Sequence, residues 1–500
     1  MFLDGQLSSE RNRVLKPALL SATIIAALGG LLFGFDTAVI SGTEGSLEKV
    51  YDLDKFWLGF TVASALIGTI IGAAAAGRPA DAFGRRTTLI VIAVLYFISA
   101  VGSGLAWDWY SLVFFRWLGG LGVGGASVVS PMYIAEISPA RLRGRLVAVT
   151  QFNIVLGILL ALLSNFLIDQ LELGTVDWRW MFGVEAFPAA AFFFLLFLVP
   201  RSPRWLVAQG AMDEARWVLS RIGTDTGDVE TELEEIRKSL HSEREALREP
   251  FFQRKYYKPI LLAFAIAMFN QLSGINAILY YAKRIFEMAG VGGSAALLQA
   301  VAVGFTNLIF TILAMALIDR FGRKILMIVG SIGYILSLAT VAGAFYVYSA
   351  EFGAVADATE ALQSAQQAAG QAVAPAVTQA QAALDVAMGG AAAGGSIVLV
   401  GLLVFIASHA FGQGCVIWVF ISEIFPNRVR ARGQALGSLT HWVFNAGISW
   451  TFPMIAAVGG GHVFAFYAAM MVLQLFWVLA IMPETKGVPL EQIQQKLGIE

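Results

Sequence analysis

Long apolar runs separated by short polar loops are the dominant pattern of the chain. Each run is close to the roughly 20 residues that an α-helix needs to cross the hydrocarbon core of a bilayer. The pattern predicts twelve membrane-spanning helices, at about 17–42, 56–79, 87–106, 109–135, 146–169, 179–199, 259–289, 294–318, 325–349, 396–424, 431–457 and 462–482. The chain is therefore predicted to be an all-α membrane protein.

The spans fall into two groups of six, and this grouping predicts the domain organisation. A polar, helix-favouring stretch between the groups is expected to form a helical linker, and an Ala/Gln-rich insertion interrupts the second group. We interpret the insertion as either a helical hairpin or a partly disordered loop. The predicted order is a tail at 1–16, an N-terminal half at 17–199, the linker at 200–258, a C-terminal half at 259–482 with the insertion at 351–395, and a tail at 483–500.

The basic residues are unevenly distributed between the two sides of the predicted bundle. Most of the 34 Lys and Arg residues lie in the tails, the linker and every second loop. Cytoplasmic loops of membrane proteins are enriched in Lys and Arg. We therefore predict a multi-pass protein of the cell membrane (plasma or inner membrane) with both termini and the linker in the cytoplasm and the insertion outside.

The composition agrees with a membrane protein and argues against an enzyme. Hydrophobic residues make up 57% of the chain and charged residues 14%, whereas a soluble domain has roughly 25% charged residues. The single cysteine, Cys415, excludes an internal disulfide framework and a Cys-based metal site. The four histidines show no spacing typical of metal ligands or of a nucleophile and its base. We expect no metal, no cofactor other than a coupling proton, and no nucleic-acid partner.

Two pairs of motifs indicate an internal repeat. D-A-F-G-R-R at 81–86 matches D-R-F-G-R-K at 319–324, and E-I-S-P-A-R-L-R at 136–143 matches E-I-F-P-N-R-V-R at 423–430. Two similar halves are expected of a transporter that rocks around a central site. We hypothesise that the charges of these motifs form a cytoplasmic gate, in which Glu136 pairs with Arg143 and Glu423 with Arg430; the alternative is that the basic loops only orient the helices. The gate residues would be Asp81, Arg85, Glu136, Arg143, Asp319, Arg323, Glu423 and Arg430.

Further motifs accompany the two pairs. They are R-W-L-G-G-L-G-V-G (116–124), P-R-S-P-R-W-L (200–206), Q-L-S-G-I-N (271–276) and P-E-T-K-G (483–487). Together the motifs resemble the sugar porter family of the major facilitator superfamily, and they are closest to bacterial sugar–proton symporters of the xylose–proton symporter type. The resemblance covers nearly the whole chain. It implies the major facilitator fold with twelve helices in two six-helix halves, alternating access, a monosaccharide-type substrate and function as a monomer.

Three charged residues stand out inside predicted spans: Asp36 in span 1, Arg116 at the start of span 4 and Glu185 in span 6. A charge inside a membrane is costly and by default marks a functional site. If Asp36 alternates between water and contact with Arg116, its proton affinity changes with conformation, as proton coupling requires. The resemblance assigns Asp36 as the proton site, Arg116 as its partner and Glu185 as an accessory acid. The alternative is a static buried salt bridge that holds the bundle together.

Amide and aromatic side chains recur within the predicted spans. A sugar ring needs aromatic faces for its C–H groups and amides that donate and accept hydrogen bonds together; the alternative for any single residue is helix packing. By resemblance to the family's sugar site, the candidates are Phe33, Gln151, Asn270, Gln271, Asn276, Tyr280, Asn307, Trp418, His441, Trp442 and Asn445. Two depart from the family pattern, because Asn270 stands where a glutamine is usual and His441 where an amide is usual.

The function expected from the sequence is import of a pentose or hexose together with a proton by alternating access. Asp36 argues against the nearest alternative, a proton-independent sugar facilitator. A cyclitol transporter and a non-transporting sugar receptor are further alternatives, and the short tail after Pro483 argues against the receptor. The two departures in the sugar site leave the particular sugar open.

Overall fold

The chain is helical throughout the part that the structure describes. The computed structural model describes residues 16–139, 141–222, 229–246, 249–367, 374–426, 428–488 and 490–499, without the side chains of 241–246, 319, 367, 374, 490, 491 and 496. We label its long helices α1 (Pro17–Val50), α2 (Lys55–Ala75), α3 (Arg85–Gly104), α4 (Trp109–Ile137), α5 (Arg143–Asp169), α6 (Asp177–Gly183 and Ala186–Leu195), α7 (Tyr257–Leu272, Ile275–Tyr280 and Ala282–Met288), α8 (Gly293–Phe321), α9 (Arg323–Val347), α10 (Ala374–His409 and Cys415–Ile424), α11 (Arg430–Val458) and α12 (Gly460–Ala480).

Eleven helical stretches of the described chain are long and apolar enough to cross a membrane. They coincide with every predicted span except 431–457. That span is α11, a single helix of 29 residues that is less apolar because it contains His441, Asn445 and Pro453. It packs against α2 and α7, so its polar residues face other helices.

Large apolar side chains cover the outside of the bundle. Phe187 and Leu198 are each 75% exposed, and Phe476 is 65% exposed. Such a surface would associate in water, but in a bilayer it faces lipid tails, and the helices satisfy their own backbone hydrogen bonds. The prediction of a multi-pass membrane protein is confirmed.

The glycine-rich run at 116–124 brings α4 into backbone contact with α2. A Cβ atom at Gly120 would lie 1.9 Å from the carbonyl oxygen of Ala65, and one at Gly124 would lie 2.2 Å from that of Thr69. No larger residue fits at either position without moving the helices apart. The run therefore packs α4 against α2.

The sixth span is broken near its middle, whereas the sequence predicted one continuous helix at 179–199. The helix stops at Gly183 and resumes at Ala186. Pro188 causes the break, because it has no N–H to donate to the carbonyl of Val184 four residues earlier. The break places Glu185 at a helix end in the interior of the bundle.

The seventh span is also discontinuous, which corrects the continuous helix predicted at 259–289. It is interrupted at Ser273–Gly274, where Gly274 takes a left-handed φ of 83°, and again at Tyr281. A side chain at Gly274 would also collide with the ring of Tyr467, 2.3 Å from an ideal Cβ. The glycine therefore both turns the chain and allows α12 to approach.

The Ala/Gln-rich insertion at 351–395 contains two helical arms in its described part. The first arm is Ser349–Gln367, and the second is the beginning of α10, which therefore starts at Ala374 and not at the predicted 396. Val355 and Ala391 from the two arms are buried against the turn at Gly290 that follows α7. The insertion thus continues spans 9 and 10 beyond the bundle.

The linker between the two halves contains three helices in its described part. They are Pro203–Ala208, Met212–Ile222 and Val229–Ala246. The Trp205 indole donates to the carbonyl of Asp81 at 2.9 Å, and the Lys16 ammonium donates to that of Ser220 at 3.1 Å. The linker therefore lies at the end of the bundle that carries the repeated basic motifs. We call this the basic end, and the opposite end of the bundle the far end.

Two pairs of helices form the contact between the halves: α11 with α2, and α8 with α5. A Cβ atom at Gly59 would lie 2.0 Å from the carbonyl oxygen of Trp450, and one at Gly304 would lie 3.3 Å from the Cα atom of Leu159. Helix α1 also contacts the second and third segments of α7. The candidate residues of α1, α7 and α11 consequently face one another between the halves.

Candidate functional site

Asp36 and Arg116 form an ion pair in the interior of the N-terminal half. Nη1 of Arg116 lies 2.6 Å from Oδ1 of Asp36, and Nη2 donates to the Asp36 carbonyl at 3.2 Å. Both residues are almost fully buried. Gly119 makes room for the pair, because a Cβ there would lie 3.3 Å from Oδ1 of Asp36 and 2.3 Å from Oγ of Ser99.

Glu185 is the third buried charged group and interacts electrostatically with both members of this pair. Among the described residues, Oε1 of Glu185, Oδ2 of Asp36 and Nε of Arg116 have no hydrogen-bond partner. One guanidinium compensates only one of two carboxylates, so the cluster is neutral only when it holds a proton. The cluster therefore has two acids for one base, and its role in proton coupling stays a prediction.

Gln271 is the centre of a hydrogen-bonded cluster of predicted sugar-binding residues. Its Nε2 donates to Oδ1 of Asn270 at 2.7 Å and lies 3.0 Å from Nδ1 of His441, while its Oε1 accepts from Nδ2 of Asn276 at 2.9 Å. The break at Ser273–Gly274 lies between Gln271 and Asn276, and it allows these side chains to converge although they are five positions apart. The two departures from the family pattern, Asn270 and His441, contact the same amide.

Aromatic rings enclose this amide cluster. Trp418 and Trp442 lie on either side of His441, with ring centroids at 5.5 Å and 5.0 Å, and Phe33 of α1 reaches Trp442 at 5.5 Å. The rings come from α1, α10 and α11, so the cluster contains residues of both halves. Apolar faces beside paired amides are the surroundings that a sugar ring requires.

Tyr280 lies between Asn445, another predicted sugar-binding residue, and the buried pair of Asp36 and Arg116. Its hydroxyl accepts from Nδ2 of Asn445 at 3.1 Å, and Oδ1 of Asn445 accepts from Oγ of Ser449 at 3.1 Å. Tyr280 also lines a small cavity together with Asp36 and Arg116. A change at the ion pair can therefore reach α7 and α11 through a single side chain.

Two predicted sugar-binding residues, Gln151 and Asn307, remain. Gln151 on α5 is half-buried, and Asn307 on α8 is buried and accepts from Oγ1 of Thr311 at 3.4 Å. Among the hydrogen bonds of the described residues, neither reaches Gln271 or its partners. Their assignment to the sugar site stays a prediction.

At the basic end, Glu136 accepts hydrogen bonds from two different segments of the N-terminal half. Nε of Arg85 donates at 3.0 Å, and Oγ of Ser202 donates at 2.5 Å. Arg85 also lies 3.0 Å from the carboxylate of Asp81. The cluster ties the loop between α2 and α3 to the end of α4 and to the linker.

The C-terminal half repeats this arrangement. Glu423 accepts from Nη2 of Arg323 at 2.8 Å and from Oγ1 of Thr485 at 2.6 Å. The neighbouring Glu484 caps α9, because it accepts from the backbone N–H of Arg323 at 3.0 Å. Although partial burial opposes the shift, hydrogen bonds from four backbone N–H groups lower the pKa of Glu484.

The predicted gate pairs, Glu136 with Arg143 and Glu423 with Arg430, are not formed in this conformation. Arg143 donates to a backbone carbonyl of α4 at 3.1 Å, and Nε and Nη2 of Arg430 have no hydrogen-bond partner among the described residues. The side chain of Asp319 lies outside the described part. The motif ion pairs that the structure does contain join segments within one half.

Ion pairs between the two halves lie at the far end. Nη2 of Arg284 on α7 lies 2.6 Å from Oε2 of Glu44 on α1 and also bonds to Glu48, which in turn bonds to Lys55. Glu44 is fully buried. We call Glu44, Glu48 and Arg284 the far-end latch, because they join α1 to α7.

Sequence reasoning missed this latch. The predicted first span ended at 42, so Glu44 and Glu48 were expected in a loop, whereas α1 continues to Val50. Two acids four residues apart lie on one face of a helix, and Arg284 lies near the end of the predicted seventh span on the same predicted side. Two acids on one helix face and an arginine on the same predicted side of the membrane are opposite charges that the sequence alone could have matched.

Comparison with known proteins shows similarity over almost the whole chain. The family model described as sugar (and other) transporter matches residues 22–497. The D-xylose-proton symporter of Escherichia coli K12 is 37% identical over 95% of both chains. The glucose transport protein of Synechocystis is 37% identical over 94% of this chain and 95% of its own. The arabinose-proton symporter of Bacillus subtilis is 34% identical over 94% and 93%.

Solved structures of the xylose transporter XylE from E. coli share this fold. The inward open conformation has a TM-score of 0.77 at 36% identity and covers 96% of this chain and 99% of that chain. The complex with 6-bromo-6-deoxy-D-glucose, described as a major facilitator superfamily proton:xylose symporter, has a TM-score of 0.72 at the same identity and coverage. The predicted major facilitator fold is confirmed.

Proposed function

Because the chain belongs to the sugar (and other) transporter family of the major facilitator superfamily, we propose that it imports a monosaccharide, a pentose or a hexose, together with a proton by alternating access. It is a transporter and not an enzyme. One observation supports the proposal that a proton is co-transported: Asp36 and Arg116 form a buried ion pair that lines the same cavity as Tyr280. The relatives named as symporters of xylose and arabinose support the same proposal.

The proton acts by changing the partner of Arg116. When Asp36 is protonated, its attraction to the guanidinium falls, and Glu185 becomes the carboxylate that compensates Arg116. When Asp36 releases the proton, the ion pair forms again as the structure has it. The N-terminal half therefore holds α1 and α4 together to a different degree in its two protonation states.

The sugar acts by joining the two halves. Gln271 and Asn276 of α7 offer amide donors and acceptors, Trp442 of α11 offers a ring face, and Phe33 of α1 offers a second ring from the other half. A sugar bound to these groups replaces the hydrogen bonds that the amides now make to one another. The discontinuous α7 is the element that closes on it, since its segments can move separately.

Alternating access follows from the unequal ends of the bundle. In this conformation the far-end latch joins the halves, whereas the motif ion pairs at the basic end lie within one half. We place the basic end in the cytoplasm, as the distribution of Lys and Arg predicts. The conformation then corresponds to the inward-facing state, which agrees with the similarity to the inward open structure of XylE.

The experiment that tests this function follows external pH while sugar is added to lightly buffered, de-energised cells that express the protein. The panel is xylose, glucose, galactose, arabinose and myo-inositol, and cells without the protein are the control. Symport predicts alkalinisation with at least one sugar. Saturable uptake of a labelled sugar without alkalinisation would instead establish a facilitator, and alkalinisation with myo-inositol alone would establish a cyclitol symporter.

Gln271→Ala is expected to weaken sugar binding by more than about tenfold, or roughly 1.4 kcal/mol. The substitution removes the amide at the centre of the cluster and leaves Asn270, Asn276 and His441 without their shared partner. Binding of the transported sugar to purified protein measures the effect. Gln381→Ala in the exposed insertion removes the same amide elsewhere and serves as the control. Equal affinities in the two variants would exclude Gln271 from the site.

A further inference from the structure

His441 is the one partner of Gln271 whose hydrogen bonding changes with protonation. The other two partners within the described chain, Asn270 and Asn276, are amides with a fixed set of donors and acceptors. A neutral imidazole has one donor and one acceptor nitrogen, whereas a protonated imidazole has two donors. The amide at the centre of the sugar cluster is therefore bonded to a titratable group.

The direction of the hydrogen bonds defines which form of His441 fits. Nε2 of Gln271 is the donor towards Asn270 and towards Nδ1 of His441, and its Oε1 accepts from Asn276. The same amide nitrogen also lies 3.3 Å from Nε2 of His441. One of the two ring nitrogens must then accept, which only a neutral imidazole can do. Protonation would set two donors against each other. Reversing the Gln271 amide alone would set its NH2 against the NH2 of Asn276.

No carboxylate is bonded to His441 within the described part of the chain. Its ring lies between Trp418 and Trp442. Titratable or charged groups on the helices around this site include Lys55 of α2, Tyr280 and Tyr281 of α7, His409, Cys415 and Glu423 of α10, His462 and Tyr467 of α12, Asp36 of α1 and Arg116 of α4. None of these is a hydrogen-bond partner of His441, so an imidazolium there would gain no ion pair.

We propose that His441 is a positioning residue that fixes the Gln271 amide for sugar binding only while its imidazole is neutral. Protonation of His441 releases Gln271 and lowers the affinity for the sugar. This inference rests on the proposed function, because it takes Gln271 as a sugar-binding residue. It adds a second proton-sensitive point to the transporter, on α11 in the C-terminal half, separate from Asp36 in the N-terminal half.

The first test needs no sugar. The full chain contains four histidines, so ¹⁵N-histidine labelling of the purified protein gives few signals, and the His441→Asn variant identifies those of His441. We expect one unprotonated ring nitrogen at about pH 7.5 that becomes protonated on acidification. Two protonated ring nitrogens at pH 7.5 would overturn the proposal, whatever the transported sugar is.

The second test measures the affinity for D-xylose and D-glucose at about pH 7.5 and about pH 4. Because an imidazolium at this buried position gains no ion pair, we expect the affinity of the unaltered protein to fall only at the acidic end, by about twofold, and to fall equally in Asp36→Asn. In His441→Asn the amide oxygen accepts from Gln271 at either pH, so the dependence should disappear. In His441→Phe the side chain has no acceptor for Gln271, so the affinity for the sugar should be low at both pH values.

An equal loss of affinity on acidification in His441→Asn and in the unaltered protein would overturn the proposal. The absence of saturable binding for every sugar of the transport panel at pH 7.5 would refute the proposed function instead. The labelling experiment would still decide the state of His441 in that case, so the two failures are distinguishable.

Discussion

Asp36→Asn is expected to abolish proton-driven accumulation of sugar, while exchange of sugar between the two sides of the membrane continues. Asparagine cannot take up the proton, so the coupling step is lost. The bundle should nevertheless keep its structure, because Glu185 is buried beside Arg116 and can compensate its charge. The sugar cluster around Gln271 is not changed.

The size of this effect follows from the driving force. A membrane potential of about 100 mV supplies roughly 2.3 kcal/mol per proton, which corresponds to about fiftyfold accumulation. In Asp36→Asn, labelled sugar should reach the same concentration inside energised cells as outside. Counterflow in de-energised cells preloaded with sugar measures the exchange that remains.

The control for Asp36→Asn is Asp357→Asn. Asp357 lies exposed in the first arm of the insertion, so this variant removes a carboxylate without touching the transport route. It should accumulate sugar like the unaltered protein. Accumulation that persists in Asp36→Asn would show that Asp36 and Arg116 form a static salt bridge, and the proton would have to bind elsewhere.

The sequence predicted the helices well because each span must by itself be long and apolar enough to cross the bilayer and must pair its own backbone N–H and C=O groups. An apolar run of the right length becomes a helix whatever its neighbours are. Breaks are different, since Pro188 and Gly274 are tolerated in membrane helices and need not interrupt them. Whether a helix stops there depends on packing, such as the contact of Gly274 with Tyr467, which no local pattern shows.

The candidate site was predictable where the residue type alone identified a functional residue. It was less predictable where the assignment depended on which residues pair with each other. Asp36, Arg116 and Glu185 stood out as charges within apolar runs, and the structure brings them together. Glu136 was expected beside Arg143 in the same motif, but the structure pairs it with Arg85. The spacing within a motif does not show which of two arginines approaches the acid, because that depends on how three segments meet.

Arg284→Gln is expected to open the far end of the bundle. The substitution removes the guanidinium that joins α1 to α7 and leaves Glu44, a fully buried carboxylate, without its partner. A buried charge without a partner is costly, and hydration of Glu44 in an opened far end relieves that cost. We expect the equilibrium to shift towards the far-end-open conformation by roughly 2 kcal/mol, or about thirtyfold.

A single cysteine below the latch measures this shift. Ser41 is fully buried on α1, and its Oγ accepts from the backbone N–H of Lys283 at 3.4 Å. Cys415 is the only native cysteine, so Ser41→Cys in a Cys415→Ser background reports access from the far end alone. An impermeant maleimide added outside should label this cysteine about thirtyfold faster when Arg284→Gln is also present.

Two further variants separate the latch from a general loss of charge. Lys283→Gln removes the adjacent cation, which pairs with Glu287 on the same helix at 3.8 Å and does not join the halves, so labelling should stay slow. Adding Glu44→Gln to Arg284→Gln removes the uncompensated carboxylate and should return labelling most of the way to the slow rate. If Arg284→Gln and Lys283→Gln label alike, the far end is closed by the packing of α2 on α11, and the ion pairs follow that closure without causing it.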